Sequence, residues 1–264
     1  MVEQRRIPMA EADPYLLFGL LGKQVIHPGG RQATEELFAL AELAPGQHIL
    51  DIGCGAGKTA IEMATRFEVT VTAADISVDM RDRAVANVEN AGVRDRVSVE
   101  SADICALPYE DGQFDRVVAE AVTMFVDRDL AISELVRVCR PGGLVLATEF
   151  HWRRPPTPEA RQAFLGEVCP GMLFDSVEDW LGRYGSAGLT NLEIKTGPFE
   201  MMTARGFIAD EGLRNALRVM ANAMANGTAR RRMTWLVPRI SRAVPYLGYV
   251  VIRGRRPAGR DDPG

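Results

Sequence analysis

The sequence predicts an α/β domain built on a mostly parallel sheet, and three observations carry that prediction. Short apolar runs alternate with helix-patterned stretches from His48 to Phe150, as crossover units require. A glycine-rich turn, DIGCGAG at Asp51–Gly57, joins the first strand to the helix after it. Acids stand at or just past the ends of the first three strands: Asp51, Asp75 and Asp103.

The elements follow in order. Residues 1–12 are polar and unpatterned, which predicts a frayed start. From Gln32 the apolar positions Leu37, Leu40, Ala41 and Leu43 recur at helical spacing until Pro45-Gly46 stops them. HILDIG reads as a short buried strand, Gly57 to Arg66 as a helix and VTVTAAD as a strand. Val78 to Asn90 is a helix closed by Gly92, and VSVES is the third strand. FDRVVAE, Asp129 to Cys139 and GGLVLATEF continue as strand, helix and strand. After Phe150 the pattern loosens into helical stretches at Pro158–Phe164 and Val177–Ser186, a strand LTNLEIKTG, a helical zone from Ala209 to Ala225, and a closing strand GYVVIRG. The expected organisation is a lid segment at 1–30, one domain over 31–254 with a helical insertion at 203–244 before the last strand, and a flexible tail at 255–264.

Composition narrows the function classes. With 47% hydrophobic residues and four scattered cysteines in 264 residues, the chain is neither disordered nor a disulfide scaffold. No CxxC spacing occurs, so a structural zinc site is not expected. The apolar stretch Tyr15–Leu21 is too short to span a bilayer and follows Glu11 and Asp13 rather than a basic flank, so a cytoplasmic protein is expected. The net charge of −4 hides an asymmetry. Residues 212–260 hold eleven arginines and no acid, leaving 20 bases against 35 acids elsewhere. Only three lysines occur, so composition bias competes with a functional basic surface as the explanation.

The glycine loop permits tight turning and close backbone approach, and the helix after it offers free N–H groups. Spacing separates the ligand classes. Five residues before Gly57 stands Ile52, so Gly57-Lys58-Thr59 is not a phosphate loop. Three residues after Gly55 stands Lys58, so the strict dinucleotide fingerprint also fails. Asp51 would repel a pyrophosphate but suits the ammonium of a bound amino acid. Asp75 suits the two hydroxyls of a ribose. Asp103 beside Ile104 suits the exocyclic amine and ring face of an adenine.

The segments ILDIGCGAG, TAADIS, SADICALPYEDGQFDRVVAE and RVCRPGGLVLATEF resemble, in order and spacing, the motifs of the class I S-adenosylmethionine-dependent methyltransferases, in the small-molecule branch that includes the ubiquinone/menaquinone biosynthesis methyltransferases. The resemblance covers residues 30–150 in motif and 170–254 in topology. It implies a seven-stranded Rossmann-like sheet with an antiparallel last strand, helices on both faces, and S-adenosylmethionine across the strand ends. It sets Gly53, Gly55 and Gly57 against the methionine portion, Asp75 at the ribose with Ile76 against the adenine, and Asp103 at the adenine amine with Ile104 beside it. Glu120 then begins the segment next to the reactive methyl. Gly30 ends HPGG (His27–Gly30), a segment that similar enzymes lay over the cofactor; the other reading is a simple turn into the first helix.

Methyl transfer is an in-line displacement, so positioning and exclusion of water matter most, and a base is needed only if the acceptor must lose a proton. Glu120 and His151 are the candidate catalytic groups, with Glu149 beside the latter in ATEFHWRRP. No cysteine stands where a thiol nucleophile would be expected, and no metal is expected. Leu213, Leu217, Met220 and Met224, preceded by Met201-Met202, form a stripe that would either line an apolar pocket or pack in the core. Arg214, Arg218 and Arg230–Arg232 suggest an acceptor with an apolar body and an anionic group; a homodimer is the other partner considered. Two rival functions stand beside small-molecule methylation: a nucleic-acid methyltransferase, for which the arginines argue, and a cofactor-binding protein without acceptor turnover.

Overall fold

The structure is a computed structural model that describes residues 8–201 and 203–258. The expectations placed on residues 1–7, Met202 and 259–264 lie outside the described residues. In chain order the elements are α1 (Pro14–Leu21), α2 (Gly30–Leu40), β1 (His48–Ile52), α3 (Lys58–Phe67), β2 (Thr70–Asp75), α4 (Val78–Ala91), β3 (Val97–Ser101) and β4 (Phe114–Glu120). There follow a 3₁₀ turn (Thr123–Phe125), α5 (Arg128–Val138), β5 (Cys139–Trp152), α6 (Pro158–Arg161), a π-helical stretch (Gln162–Val168) and α7 (Val177–Ser186). The chain closes with β6 (Thr190–Pro198), α8 (Ala204–Ala225), α9 (Gly227–Ala243) and β7 (Leu247–Arg255).

Among the described residues, seven strands form one sheet in the order β3-β2-β1-β4-β5-β7-β6. Strands β1 to β5 run parallel, and β7 lies antiparallel between β5 and β6. The strand order reverses at β1 and β4, and the crevice beyond their carboxyl ends is the ligand position in open α/β sheets. Both faces are covered, which is why these strands read as continuous apolar runs. Leu50, Val117, Ala119 and Val145 pack with Leu135, Trp180 and Leu236 on one side. Ile49, Val118, Leu144 and Leu146 pack with Leu37, Ala60 and Met63 on the other.

Two elements near the site depart from expectation. Helix α1 has the local grammar of a helix start that the apolar pattern hides: Asp13 accepts from Tyr15 N and Leu16 N, and Pro14 takes the first helical position. Strand β5 continues to Trp152 because β7 pairs with it from Leu144 to Trp152, His151 opposite Gly248. The chain end expected to be flexible from 255 is partly fixed. Strand β7 runs to Arg255, and the Arg256 guanidinium donates to the carbonyls of Val136, Arg137 and Cys139.

The arginine-rich segment spends much of its charge internally. Arg253 pairs with Glu42 and Glu193, Arg255 with Glu42 at 2.9 Å, and Arg232 donates to the carbonyls of Ala10 and Ala12. Helix α8 also fastens the loop ahead of α2. Buried Lys23 Nζ lies 3.3 Å from Asp210 and 3.4 Å from Glu211, while these carboxylates accept from Gln24 N, Val25 N and Arg31 N. Lys23→Met leaves two buried acids without their cation, so it is expected to cost about 3 kcal/mol and lower the melting temperature by about 5–10 °C. An unchanged calorimetric midpoint would contradict that pairing.

Candidate active site

The carboxyl ends of β1, β2 and β4 meet at a cleft of about 300 Å³ lined by Asp51, Gly53, Gly55, Asp75, Ile76 and Glu120, among others. The backbone explains why glycine opens the loop. Gly53 has φ +73°, and its N–H, with that of Cys54, donates to Ala74 O at 2.7 and 3.0 Å. A Cβ there would fall 2.3 Å from Val122 Cγ2. Asp75 holds the loop from the next strand, since its Oδ2 accepts from Gly55 N at 2.9 Å and its Oδ1 from Ser77 N at 2.8 Å. Burial still holds the Asp75 carboxyl above its usual value, against those hydrogen bonds.

Asp51 is an electrostatically stressed acid in the cleft. It accepts from Ala60 N at the start of α3, yet its buried Oδ2 has no hydrogen-bond partner among the described residues. Burial, then the neighbouring Glu120 and Asp75, push its carboxyl well above the usual range. The third acid is fully engaged. Glu120 Oε1 accepts from Thr59 at 2.7 Å, while Oε2 accepts from Thr34 at 3.3 Å and lies 3.4 Å from His27 Nε2. Next to it Ala121 sits at φ +60°, a strained value for a residue with a Cβ, on the cleft wall. Tyr15, Ile26, His27 and Phe125 close the cleft from the N-terminal side and from the 3₁₀ turn.

The remaining candidates fall into two groups. Asp103 and Ile104 lie just past Ser101, the register partner of Asp75, with Asp103 exposed and accepting from Cys105 N while Ile104 is buried. Gly57 caps α3 and faces Ala84 of α4, outside the cleft lining. Gly30 also stands outside it. A Cβ there would meet the Asp210 carboxylate at 2.0 Å, so this glycine lets α8 approach the loop.

His151 does not join the cleft. As a paired residue of β5 it is buried, its Nε2 has no partner among the described residues, and burial lowers its pKa. The strand expected to end at Phe150 runs on to Trp152, so His151 sits in the ladder instead of after it. Leu213, Leu217, Met220 and Met224 likewise neither line the cleft nor enter the core, being 57–62% exposed. Thr34 and Thr59, which bind Glu120, carried no sequence signal, because a threonine in a helix announces nothing about a strand end far away in the chain.

Glu149, wholly buried on β5, accepts from Thr123 and from Tyr184 at 3.4 Å while its Oε2 has no partner among the described residues. Burial pushes its carboxyl up to about 8. A folded value above the unfolded one means full stability below the unfolded pKa and loss as pH rises through the folded one, amounting to at most about 5 kcal/mol. The melting temperature is therefore expected to fall between pH 6 and 9 more steeply in the native chain than in Glu149→Gln. Equal slopes would contradict it.

Comparison with known proteins agrees with this geometry. A family model described as a methyltransferase domain matches residues 49–143. The 27-O-demethylrifamycin SV methyltransferase of Amycolatopsis mediterranei is 35% identical over 233 residues, spanning 85% of this chain and 82% of that protein. An S-adenosylmethionine-dependent methyltransferase from Geobacter sulfurreducens, solved with S-adenosylhomocysteine, superposes with a TM-score of 0.71 at 22% identity, covering 94% of this chain and 98% of that one. The [4+2]-cyclase SpnF shares the fold at a TM-score of 0.71 and 23% identity, over 93% of this chain and 92% of its own. The chain thus belongs to the class I S-adenosylmethionine-dependent methyltransferases, in the branch that acts on small molecules.

Proposed function

We propose that the cleft holds S-adenosylmethionine with Asp51 at its ammonium, Asp75 at its ribose hydroxyls, Ile76 against its adenine, and Asp103 with Ile104 at the adenine edge. When bound, this cofactor supplies an electrophilic methyl group on a sulfonium sulfur. The observation that carries the reading is the buried Oδ2 of Asp51, which has no partner among the described residues and, unlike the partnerless atoms of Glu149 and His151, belongs to a residue lining the cleft, where an ammonium would satisfy it. Gly53 and Gly55 leave room for close approach, and the spare lone pairs of the Asp75 carboxylate can accept further hydrogen bonds. Glu120, held by Thr34 and Thr59, acts as a fixed wall rather than a free base. Helix α1 and the loop Lys23–Gly29 serve as the lid, with α8 of the helical insertion fastening the loop, so these segments exclude water while the sheet edge positions the reactants. Four unpaired thiols fit a reducing, cytoplasmic setting.

The test is thermal stabilisation by S-adenosylmethionine, which raises stability by mass action. Asp75→Asn is expected to lose most of the shift, because charge-assisted hydrogen bonds contribute about 1.5–3 kcal/mol each. His151→Ala is expected to keep it. A normal shift in Asp75→Asn would overturn the assignment.

A further inference from the structure

Resting on that reading of the cleft, we infer that the acceptor occupies a second chamber and is an apolar molecule presenting a hydroxyl or an amine, not a phosphate or a carboxylate. The chamber, about 630 Å³, shares three wall residues with the cofactor cleft: Asp13, Tyr15 and Phe125. Tyr15 and Phe125 stand edge to face there, ring centroids 5.2 Å apart, so they form the partition between the two spaces. Beyond them the apolar part of the wall is made by Val168, Cys169, Met172 and Trp235. Val168 and Cys169 come from the end of the π-helical stretch, a distortion that recurs where helices build functional sites.

Charge decides the acceptor class. An anionic acceptor needs a guanidinium whose terminal nitrogens are open to it, and those of Arg232, the arginine among the described wall residues, are already taken. Arg232 turns Nη1 and Nη2 to the carbonyls of Ala10 and Ala12, and its Nε is buried without a partner among the described residues. Arg239, lying over the Trp235 ring, pairs with Glu167 at 2.5 Å. Among the described residues the other charged wall groups are the acids Glu11, Asp13 and Glu167, and with Glu167 paired to Arg239 the first two remain to repel an anion and favour a donor. Asp13 is placed at the partition by its own helix cap, since Oδ1 accepts from Tyr15 N at 2.7 Å and Leu16 N at 2.9 Å. Among the described residues its Oδ2 has no donor, which leaves it open to an O–H or N–H presented there. The acceptor with an anionic group suggested by the arginine-rich segment is therefore replaced by one that donates a hydrogen bond.

Calorimetric titration with three probes of one skeleton tests this without turnover: 4-phenylphenol, 4-phenylbenzylamine and biphenyl-4-carboxylate, each added to the protein saturated with S-adenosylhomocysteine. The phenol and the amine are expected to bind, the carboxylate at least tenfold more weakly. Trp235→Ala should weaken the phenol and the amine while leaving S-adenosylhomocysteine affinity within twofold. Glu167→Gln, which releases Arg239, should strengthen the carboxylate. Tighter binding of the carboxylate to the native chain, binding indifferent to Trp235→Ala, or no binding of any probe to a protein that does bind S-adenosylhomocysteine would each overturn the acceptor assignment. Failure to bind S-adenosylhomocysteine would instead strike the reading of the cofactor cleft.

Discussion

Gly53→Val is expected to abolish S-adenosylmethionine binding, with an affinity loss above a hundredfold, and to lower the melting temperature by several degrees. Two effects add. The residue sits at φ +73°, where a β-branched side chain is strained by about 1–3 kcal/mol. The new Cβ would also lie 2.3 Å from Val122 Cγ2, so the loop or the segment after β4 must shift, and both line or adjoin the cleft. Gly46→Ala is the matched control. Gly46 has φ +83° but nothing within 4 Å of a new Cβ, so that change should cost stability alone. Binding measured by calorimetry on both variants separates backbone strain from blockage of the site. Intact affinity in Gly53→Val would contradict the placement of the cofactor against this loop.

What was legible in the sequence was what local chemistry writes. The glycine loop, Asp51 and Asp75 lie within one strand–turn–helix grammar, and each stands at the sheet edge where the spacing puts it. The parallel order of β1 to β5 followed from alternation of strands and helices. The losses have a common cause, which is pairing between distant segments. His151 falls after the expected strand because the run of apolar residues ends at Phe150, but β7 extends the ladder two residues further and buries it. For Gly30 the sequence offers a cofactor contact or a turn into the first helix, and neither announces that a Cβ there would meet Asp210, 180 residues later. The arginines after residue 212 looked like a basic surface, while Arg232, Arg239, Arg253, Arg255 and Arg256 are used as internal staples. Composition counts charges and is silent about their partners.

The second large effect concerns Asp51, and its sign is opposite for stability and for binding. In the free protein its carboxyl is held well above the usual range by burial and by two neighbouring acids. Stability contributed by such a group is complete below the unfolded pKa and lost as pH rises through the folded one. Asp51→Asn removes that stress, so the free variant is expected to melt at a higher temperature than the native chain at pH 8. The same change deletes the counter-charge for the cofactor's ammonium. A charge-assisted hydrogen bond is worth about 1.5–3 kcal/mol, so affinity should fall about tenfold to a hundredfold. A variant that is more stable and yet binds worse cannot be explained by misfolding.

The cofactor's ammonium next to Asp51 favours the carboxylate, so binding must release a proton over the range in which the free carboxyl is still protonated, and affinity must rise with pH across that range. Calorimetry of S-adenosylmethionine binding in two buffers of different ionisation enthalpy reads this release directly. The native chain is expected to bind one cofactor per chain with net proton release, and Asp51→Asn is expected to bind more weakly with that release gone. Equal affinity and equal proton release in the two proteins would contradict the assignment of Asp51 to the cofactor.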